Sequence, residues 1–383
     1  MKFLGLMFKN LWRNKLRTLL TVGSIAASLF LVTTLLGMVT TMLNPPVTPD
    51  SALRLITRHK ISLMNTLPAS YGEKIRNVEG VEAVAGSMWF GGMYNQDGQD
   101  QIIAQFATET DEFFQVNPDM EIPDDQAQAF LEERLNCIAG DSVADRFGWE
   151  IGDTLHFASN IFPVKVELKL VGLYSGGGDN GGSVFFHWDY FDEALDRPGF
   201  TGTYSLRVES PELVPEVSQR IDALFENSTT PTHTETEKDF ILGFMSMLGN
   251  IQLLITSICL AVMFAVILIA ANTVAMSIRE RIREIGVMKA LGFRRSQVMG
   301  LLIGESVLLS VLGTLLGSLS ARLLFANLNM QAISAGFLQN LVISPAILLL
   351  CLGMGVLVGL FAAGFPAWRA AQRPVVQALR NIA

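Results

Sequence analysis

Four long stretches of this sequence carry almost no charge, and they constrain the fold more than any other feature. No charged side chain occurs in residues 18–49, 240–278 or 323–368, and residues 296–321 contain only Glu305. About 20 apolar helical residues cross a bilayer core of about 30 Å. Four stretches of sufficient length favour membrane spans over buried helices of a soluble protein. The expected spans lie at 18–43, within 240–277, at 297–325 and at 344–367.

The remaining charges are separated by sign. Residues 1–17, 279–295 and 368–383 hold 14 basic and 2 acidic residues, whereas residues 44–243 hold 13 basic and 33 acidic ones. Short cytoplasmic loops accumulate Lys and Arg. We therefore expect both termini and residues 278–296 in the cytoplasm. Residues 44–239 and the loop 326–343 are expected on the outer side.

The large outer segment has mixed periodicity. Apolar and charged residues alternate over 164–170 and again over 206–209, which is typical of half-buried strands. Residues 211–225 instead place Val214, Val217, Ile221, Leu224 and Phe225 on one helical face. The sequence thus predicts a membrane α-helical protein with an α+β extracytoplasmic domain inserted between helices 1 and 2.

Residues 1–17 have two interpretations. An apolar stripe of Leu4, Phe8, Leu11, Trp12 and Leu16 is typical of a cytoplasmic amphipathic helix at the membrane surface. The other interpretation is an ordinary basic flank of the first span.

The second apolar stretch is longer than a bilayer needs. A continuous helix from Phe240 to Ser277 would measure about 57 Å. We expect one continuous helix that forms both a stalk and the span, since a single Gly usually costs only about 1 kcal/mol within a helix. The alternative is two helices joined by a kink at Gly249.

Residues 278–296 follow the second span. Ile278, Ile282, Ile285 and Met288 form one apolar stripe, with Gly286 predicted to mark a bend and Gly292 a stop. A short amphipathic helix of this kind fits a groove on a partner protein. The alternative is a plain basic loop beside the membrane.

Sequence motifs for common chemistry are missing. There is no GxxxxGK[ST], HExxH, CxxC or GxSxG, so we expect no bound nucleotide, metal or cofactor on this chain and no enzymatic activity of its own. The cysteines Cys137, Cys259 and Cys351 are interpreted as packing residues.

Three terminal or cytoplasmic segments and one outer segment carry a family resemblance. REIGVMKALGFRRSQV (283–298) resembles the signature of ABC-transporter permeases of the MacB/FtsX type. AAGFPAWRAAQRPVVQALR (362–380) resembles the closing motif of that family, and FKNLWRNKLRTLLTVGSIAAS (8–28) resembles its start. GDSVADRFGWEIGDTL (140–155) resembles a family segment in which a small helix precedes glycines, an aspartate and a strand.

The resemblance implies a permease that transmits force from a separate cytoplasmic ABC ATPase subunit, which would hold ATP and Mg²⁺. It also implies a homodimer or a pair of related permeases in the bacterial inner membrane, in contact with lipid and a periplasmic adaptor, but with no nucleic acid. The residues that would couple to the ATPase are Arg279, Glu280, Arg283, Glu284, Ile285, Gly286, Lys289, Ala290 and Gly292. The closing motif contributes Pro366, Trp368, Arg369 and Pro374.

The family branches differ in cargo. The outer domain is too large for a typical FtsX branch, and the opening and closing motifs favour the MacB branch, which exports substrates, over the Lol branch, which releases lipoproteins. Two interpretations from other classes are a sensory membrane protein and an intramembrane enzyme. The short cytoplasmic segments and the scarcity of polar residues within the spans argue against both.

Glu305 is the one acidic residue within the predicted spans. Such a group is costly in a membrane and by default suggests a function. We expect it to help pack the third span against the 278–296 segment by pairing with a basic residue. The alternative is a glutamate that simply reaches the inner interface.

Overall fold

The computed structural model describes residues 15–43, 49–96, 99–177, 181–247, 249–328, 341–372 and Pro374. These residues form two compact units. One is a helical unit of residues 15–43, 249–328 and 341–374, and the other is a domain of residues 49–247. The predicted surface helix lies outside the described residues up to position 14, as do most of the loop 326–343 and most of the tail.

Helices and strands are numbered in chain order. The helices are α1 (Lys15–Leu43), α2 (Tyr71–Arg76), α3 (Phe113–Val116), α4 (Asp124–Glu132), α5 (Asp141–Phe147), α6 (Trp188–Ala194), α7 (Val214–Phe225), α8 (Glu237–Met247), α9 (Ile251–Glu280), α10 (Ile282–Ala290), α11 (Arg295–Asn327) and α12 (Pro345–Gln372). The strands are β1 (Arg54–His59), β2 (Leu67–Pro68), β3 (Val81–Trp89), β4 (Gly92–Gln96), β5 (Gln99–Ile102), β6 (Ala104–Thr108), β7 (Met120–Glu121), β8 (Asn136–Gly140), β9 (Thr154–Ser159), β10 (Lys165–Gly176), β11 (Ser183–His187), β12 (Phe200–Thr201), β13 (Thr203–Val208) and β14 (Thr232–Thr236).

Within the described residues, α1, α9, α11 and α12 are long and apolar enough to cross a membrane. The α+β domain lies in the chain between the first and second of them. The predicted fold class is therefore confirmed.

The prediction of one continuous helix across 240–277 is wrong. The helix α8 ends at Met247 and α9 begins at Ile251. Gly249 has a φ of +96°, a left-handed conformation that ends helices and that glycine adopts without strain. Asn250 then caps α9, because its side-chain oxygen accepts the Leu253 N–H at 2.9 Å. A residue that ends a helix, Gly249, is thus followed directly by a residue that begins one, Asn250.

The helical unit is held together by close backbone approach. A Cβ atom on Gly359 of α12 would lie 2.6 Å from Val307 Cα of α11, and one on Gly313 would lie 2.8 Å from Ile25 Cβ of α1. Small residues at helix crossings permit such packing in membranes. On the same helix α12, Gly353 and Gly364 have open space where a Cβ would stand.

The domain between the first two spans is built on a mixed twelve-stranded sheet. Its strand order is β14-β1-β13-β3-β6-β11-β8-β10-β9-β4-β5, with β7 paired to β10, and β2 and β12 form a separate ribbon. The β6–β11 and β8–β10 pairs are parallel, and the other pairs are antiparallel. The strand β1 lies beside β14, with Leu55 opposite Thr236, so the first and last strands of the domain are neighbours.

Large aromatic side chains fill the core of this domain. Phe90 meets Phe186 and Phe191 edge to face at 5.5 and 6.1 Å, and all three are fully buried. The alternation predicted for 164–170 appears in β10, where Val166, Leu168 and Leu170 are buried. In α7 the predicted apolar face is correct except at one position. Leu224 is 52% exposed, because the buried stripe runs along Val217, Ile221 and Phe225.

Candidate functional site at the basic end of the helical bundle

The segment 278–296 folds as a short helix between two turns. Its first turn is at Arg281, whose backbone (φ −101°, ψ 12°) leaves the helical region between α9 and α10. We call Glu280 and Arg281 the joint. The second turn follows α10, where Gly292 has a φ of +93° and the Phe293 N–H donates to the Met288 carbonyl at 3.1 Å.

The bend predicted at Gly286 is wrong. Gly286 lies buried inside α10, and the chain bends five residues earlier at the joint. A single glycine is tolerated inside a helix, at a cost of about 1 kcal/mol relative to alanine. The stop predicted at Gly292 agrees with the turn.

One face of α10 is packed against the bundle. Ile285 is 4% exposed and belongs to one apolar cluster with Ile278, Val298, Leu302, Ala367 and Ala370, which come from α9, α11 and α12. Met288 is partly buried against the same cluster. The opposite face presents Arg283, Val287, Ala290 and Leu291, and Leu291 is 75% exposed. The helix therefore has an anchored face and an outward face.

The joint is tied to two different spans by ion pairs. The Nη1 of Arg281 donates to both carboxylate oxygens of Glu305 in α11, each at 2.9 Å, and both side chains are 12% exposed. The neighbouring Glu280 accepts from both terminal nitrogens of Arg17 in α1, with Arg17 Nη1 to Glu280 Oε2 at 2.7 Å. Adjacent residues of opposite charge thus hold the joint to α1 and to α11.

A small cavity of about 60 Å³, with both polar and apolar lining residues, adjoins these ion pairs. It is lined by Arg17, Arg281 and Glu305 together with hydroxyl groups from three spans, namely Thr18, Thr21, Thr273, Ser277, Ser306 and Ser310. The Oγ of Ser310 is buried and has no hydrogen-bond partner among the described residues. Because a buried polar atom is normally paired, and water needs only about 10–15 Å³ of such space, the cavity suits a few ordered waters.

The end of α12 is also bonded to α10. The Nζ of Lys289 donates to the Ala371 carbonyl at 2.5 Å, which ties α10 to the last turn of α12. Burial, helped by the nearby charge of Arg295, lowers the pKa of Lys289. Pro366 lies inside α12, where its ring removes one backbone hydrogen bond.

The structure gathers only part of the predicted residue set. Arg279, Glu280, Ile285, Lys289, Glu305, Pro366 and Arg369 all lie around the joint or the adjoining helix ends. The residues Arg283, Ala290 and Gly292 are on the outward side. The side chains of Trp368 and Pro374 are exposed, and Glu284 is partly buried.

Sequence reasoning missed Arg17 and Arg281. Both were counted only as topology signals in basic segments, although Arg281 stands next to an acid at the predicted membrane boundary. The cost of placing Glu305 in a span correctly indicated that a basic partner was needed. No cluster of side chains suited to a metal ion occurs among the described residues.

Two family models match the chain. That of the MacB-like periplasmic core domain matches residues 18–224, and that of the FtsX-like permease C-terminal matches residues 256–375. An uncharacterized ABC transporter permease of Methanocaldococcus jannaschii is 25% identical over 316 residues, which cover 80% of this chain and 78% of the relative. A macrolide export ATP-binding/permease protein MacB of Bradyrhizobium diazoefficiens is 31% identical over 229 residues, which cover 56% of this chain and 33% of the relative.

Among solved structures, the periplasmic region of MacB from Actinobacillus actinomycetemcomitans is similar to part of the chain. The TM-score is 0.38 at 9% identity, and the match covers 51% of this chain and 92% of that structure. The chain thus spans most of the archaeal relative and a third of the bradyrhizobial one.

Proposed function

The chain belongs to the ABC transporter permeases of the MacB/FtsX type, and from this membership we propose that it is the membrane subunit of an ATP-driven transporter that works by mechanotransmission. In this proposal an ATPase subunit moves α10, the spanning helices carry that movement through the bilayer, and the α+β domain acts on a substrate at the periplasmic side. The names of the MacB relatives, which describe macrolide export, favour export as the direction.

The orientation in this proposal follows from charge. Basic residues concentrate at the end of the bundle that carries α10, and short cytoplasmic loops accumulate such residues. We therefore place α10 and both termini in the cytoplasm of a bacterial cell, with the chain in its inner membrane.

The joint is the observation that carries the proposal. A displacement of α10 acts on Glu280 and Arg281, and these two residues are paired to Arg17 of α1 and Glu305 of α11. Lys289 adds a bond to α12. The short helix α10 is thereby attached to α1, α11 and α12. It is also linked to α9, which it follows directly in the chain. Removing one partner of a largely buried ion pair costs about 3–5 kcal/mol, because the other charge is left buried and unpaired, so the loss of either Arg281 or Glu305 should disturb how α10 is held to α11.

The outward face of α10 supplies the docking surface. Val287 and Leu291 are exposed apolar residues, and Arg283 lies beside them. An amphipathic helix with an apolar outward face is suited to a groove on a partner. We propose that the groove belongs to an ABC ATPase subunit, which holds the ATP and Mg²⁺, and that two permease copies assemble on two such subunits.

The test separates docking from force transmission. The tagged full chain is purified from its native host, ATPase subunits are identified by mass spectrometry, and ATP hydrolysis is measured per complex. Val287→Asp with Leu291→Asp is expected to abolish ATPase recruitment. Arg281→Gln is expected to retain the ATPase but to change hydrolysis per complex at least fivefold, because α11 no longer follows α10.

Arg322→Gln is the matched control, since it removes an exposed Arg from the far end of α11. The exchange Arg281→Glu with Glu305→Arg should restore the wild-type rate if the pair itself matters. Normal recruitment in the Asp variants would refute the docking surface, and a wild-type rate in Arg281→Gln would refute the role of the joint.

A further inference from the structure

A second cavity, of about 160 Å³, lies between α9, α10 and α12 at the basic end of the bundle. Its walls are apolar and come from Ala275, Ile278, Ile282, Ile285, Phe365, Pro366 and Ala370. Three cations complete the lining, Arg279, Lys289 and Arg369. No carboxylate lines the cavity among the described residues, so its polar part has a strong excess of positive charge.

The two arginines of this cavity differ from those at the joint. Arg17 and Arg281 each face a glutamate. Arg279 and Arg369 are exposed, and neither has a carboxylate partner in the described part of the chain. Arg369 instead lies over the Phe365 ring at 4.5 Å. A guanidinium that keeps its fork of donors available is well suited to phosphate.

The position of these cations along the chain indicates the source of the anion. The charge-free stretch of the second span ends at Ile278, directly before Arg279, and that of the fourth span ends at Trp368, directly before Arg369. Both arginines therefore stand where the hydrocarbon region ends. Phe365 and Trp368 stack at 6.4 Å and are 58% and 49% exposed, as is typical of aromatic residues at the lipid–water boundary.

We infer that this cavity binds the phosphate headgroup of an anionic phospholipid. Arg279 and Arg369 contact the phosphate, Lys289 adds positive charge, and the apolar walls accept the first atoms of the glycerol and acyl chains. A water molecule needs about 10–15 Å³ of such space, so the cavity has room for a phosphate and its neighbouring atoms. Basic pockets between spans on the cytoplasmic side are suited to anionic headgroups.

The bound lipid would have a mechanical consequence. Its phosphate bridges α9 and α12 beside α10, and it neutralises cations that otherwise repel each other. The lipid then adds a contact to α10 next to those that the joint makes. Lipid binding is measured on the permease alone, so its failure is distinguishable from failure of the proposed coupling to an ATPase.

The experiment uses the purified full chain in a neutral detergent. Bound lipid is counted by native mass spectrometry, and the apparent Kd is measured for phosphatidylglycerol, for phosphatidylcholine and for inorganic phosphate. We expect one phosphatidylglycerol to bind more tightly than phosphatidylcholine. In the double variant Arg279→Gln with Arg369→Gln its affinity should fall at least tenfold.

Two further variants distinguish a specific lipid-binding site from general electrostatic attraction between the basic surface and anionic lipid. Arg294→Gln with Arg295→Gln removes the same charge from exposed positions outside the cavity and should change the affinity less than twofold. Ala275→Leu keeps the charge but fills the cavity, and it should weaken phosphatidylglycerol binding several-fold. Melting curves of all variants show whether each remains folded.

Three results would overturn the inference. The first is an equal loss in the Arg294/Arg295 variant, which would indicate diffuse attraction. The second is binding of inorganic phosphate as tightly as phosphatidylglycerol, which would indicate a free-anion site. The third is phosphatidylglycerol affinity that stays unchanged in the variant Arg279→Gln with Arg369→Gln, which would show that these two arginines do not hold the headgroup.

Discussion

The two units of this protein are packed by opposite means. The α+β domain buries large aromatic side chains such as Phe90, Phe186 and Phe191. The helical unit instead brings backbones together at Gly313 and Gly359. The domain gains stability by removing apolar surface from water. Helices in lipid gain little that way, because lipid tails are as apolar as their own side chains, so they depend on close contact. The same enlargement or reduction of a side chain should therefore have different effects in the two units.

The largest expected effect is in the domain core. Phe186→Ala removes a fully buried ring and should lower the free energy of unfolding of the domain by about 3–5 kcal/mol. It is measured by urea unfolding of the full chain in detergent, followed by tryptophan fluorescence. The control Ile151→Ala, at a residue 51% exposed, should stay within about 0.5 kcal/mol. A loss below about 1 kcal/mol in Phe186→Ala would break the comparison.

In the spans, a smaller loss of stability is expected from enlarging a side chain rather than truncating one. Gly359→Leu forces α12 away from α11, because a Cβ there would stand 2.6 Å from Val307 Cα. Overpacking typically costs about 1–3 kcal/mol. The loss is measured as helix content against the mole fraction of sodium dodecyl sulfate. Gly353→Leu, in the same helix but with open space, is the control. If both variants unfold alike, close packing at Gly359 does not hold the unit together.

The third effect concerns pH and should be confined to the domain. All four histidines lie in residues 59–233. His187 is buried, its Nε2 donates to the Phe130 carbonyl at 2.6 Å, and burial lowers its pKa. The unfolded chain then takes up a proton at a higher pH than the folded domain does. The stabilisation that comes from keeping His187 neutral is fully present above about pH 6.5. It is lost as the pH falls toward the pKa of His187 in the folded domain. The total loss is about 1.4 kcal/mol for each unit by which the folded pKa lies below the unfolded one.

Unfolding of wild type and His187→Gln between pH 7.5 and 5 tests this expectation. The wild type should lose stability faster than the variant as the pH falls. Burial also raises the pKa of Glu109, which acts in the opposite direction, so the quantity to compare is the difference between the two proteins. A constant difference across this range would show that His187 does not titrate as expected.

The success of sequence-based prediction also differs between the units. The four spans were predictable because each depends on local composition over about 20 residues. The order of the strands was not, since pairs such as β6 with β11 join segments far apart in the chain. At Gly249 the error came from weighing helix propensity alone, when the Gly–Asn pair carries both a stop and a start signal.

The candidate site was predictable in position but not in its contacts. Periodicity placed Ile285 on the packed face of α10 and correctly indicated a stop near Gly292. It could not reveal that Glu280 and Arg281, adjacent in sequence, point to partners on two different spans, one of them 263 positions away. Ion pairs between distant segments depend on how the helices pack, and no local pattern encodes that.

The neighbouring positions of β1 and β14 have an evolutionary consequence. With Leu55 opposite Thr236, the polypeptide enters and leaves the domain at adjacent points. Recombination could therefore replace, enlarge or delete the whole domain without leaving a gap to bridge between the segments that flank it. In this way, related permeases can come to differ in this one domain while their spanning helices stay the same.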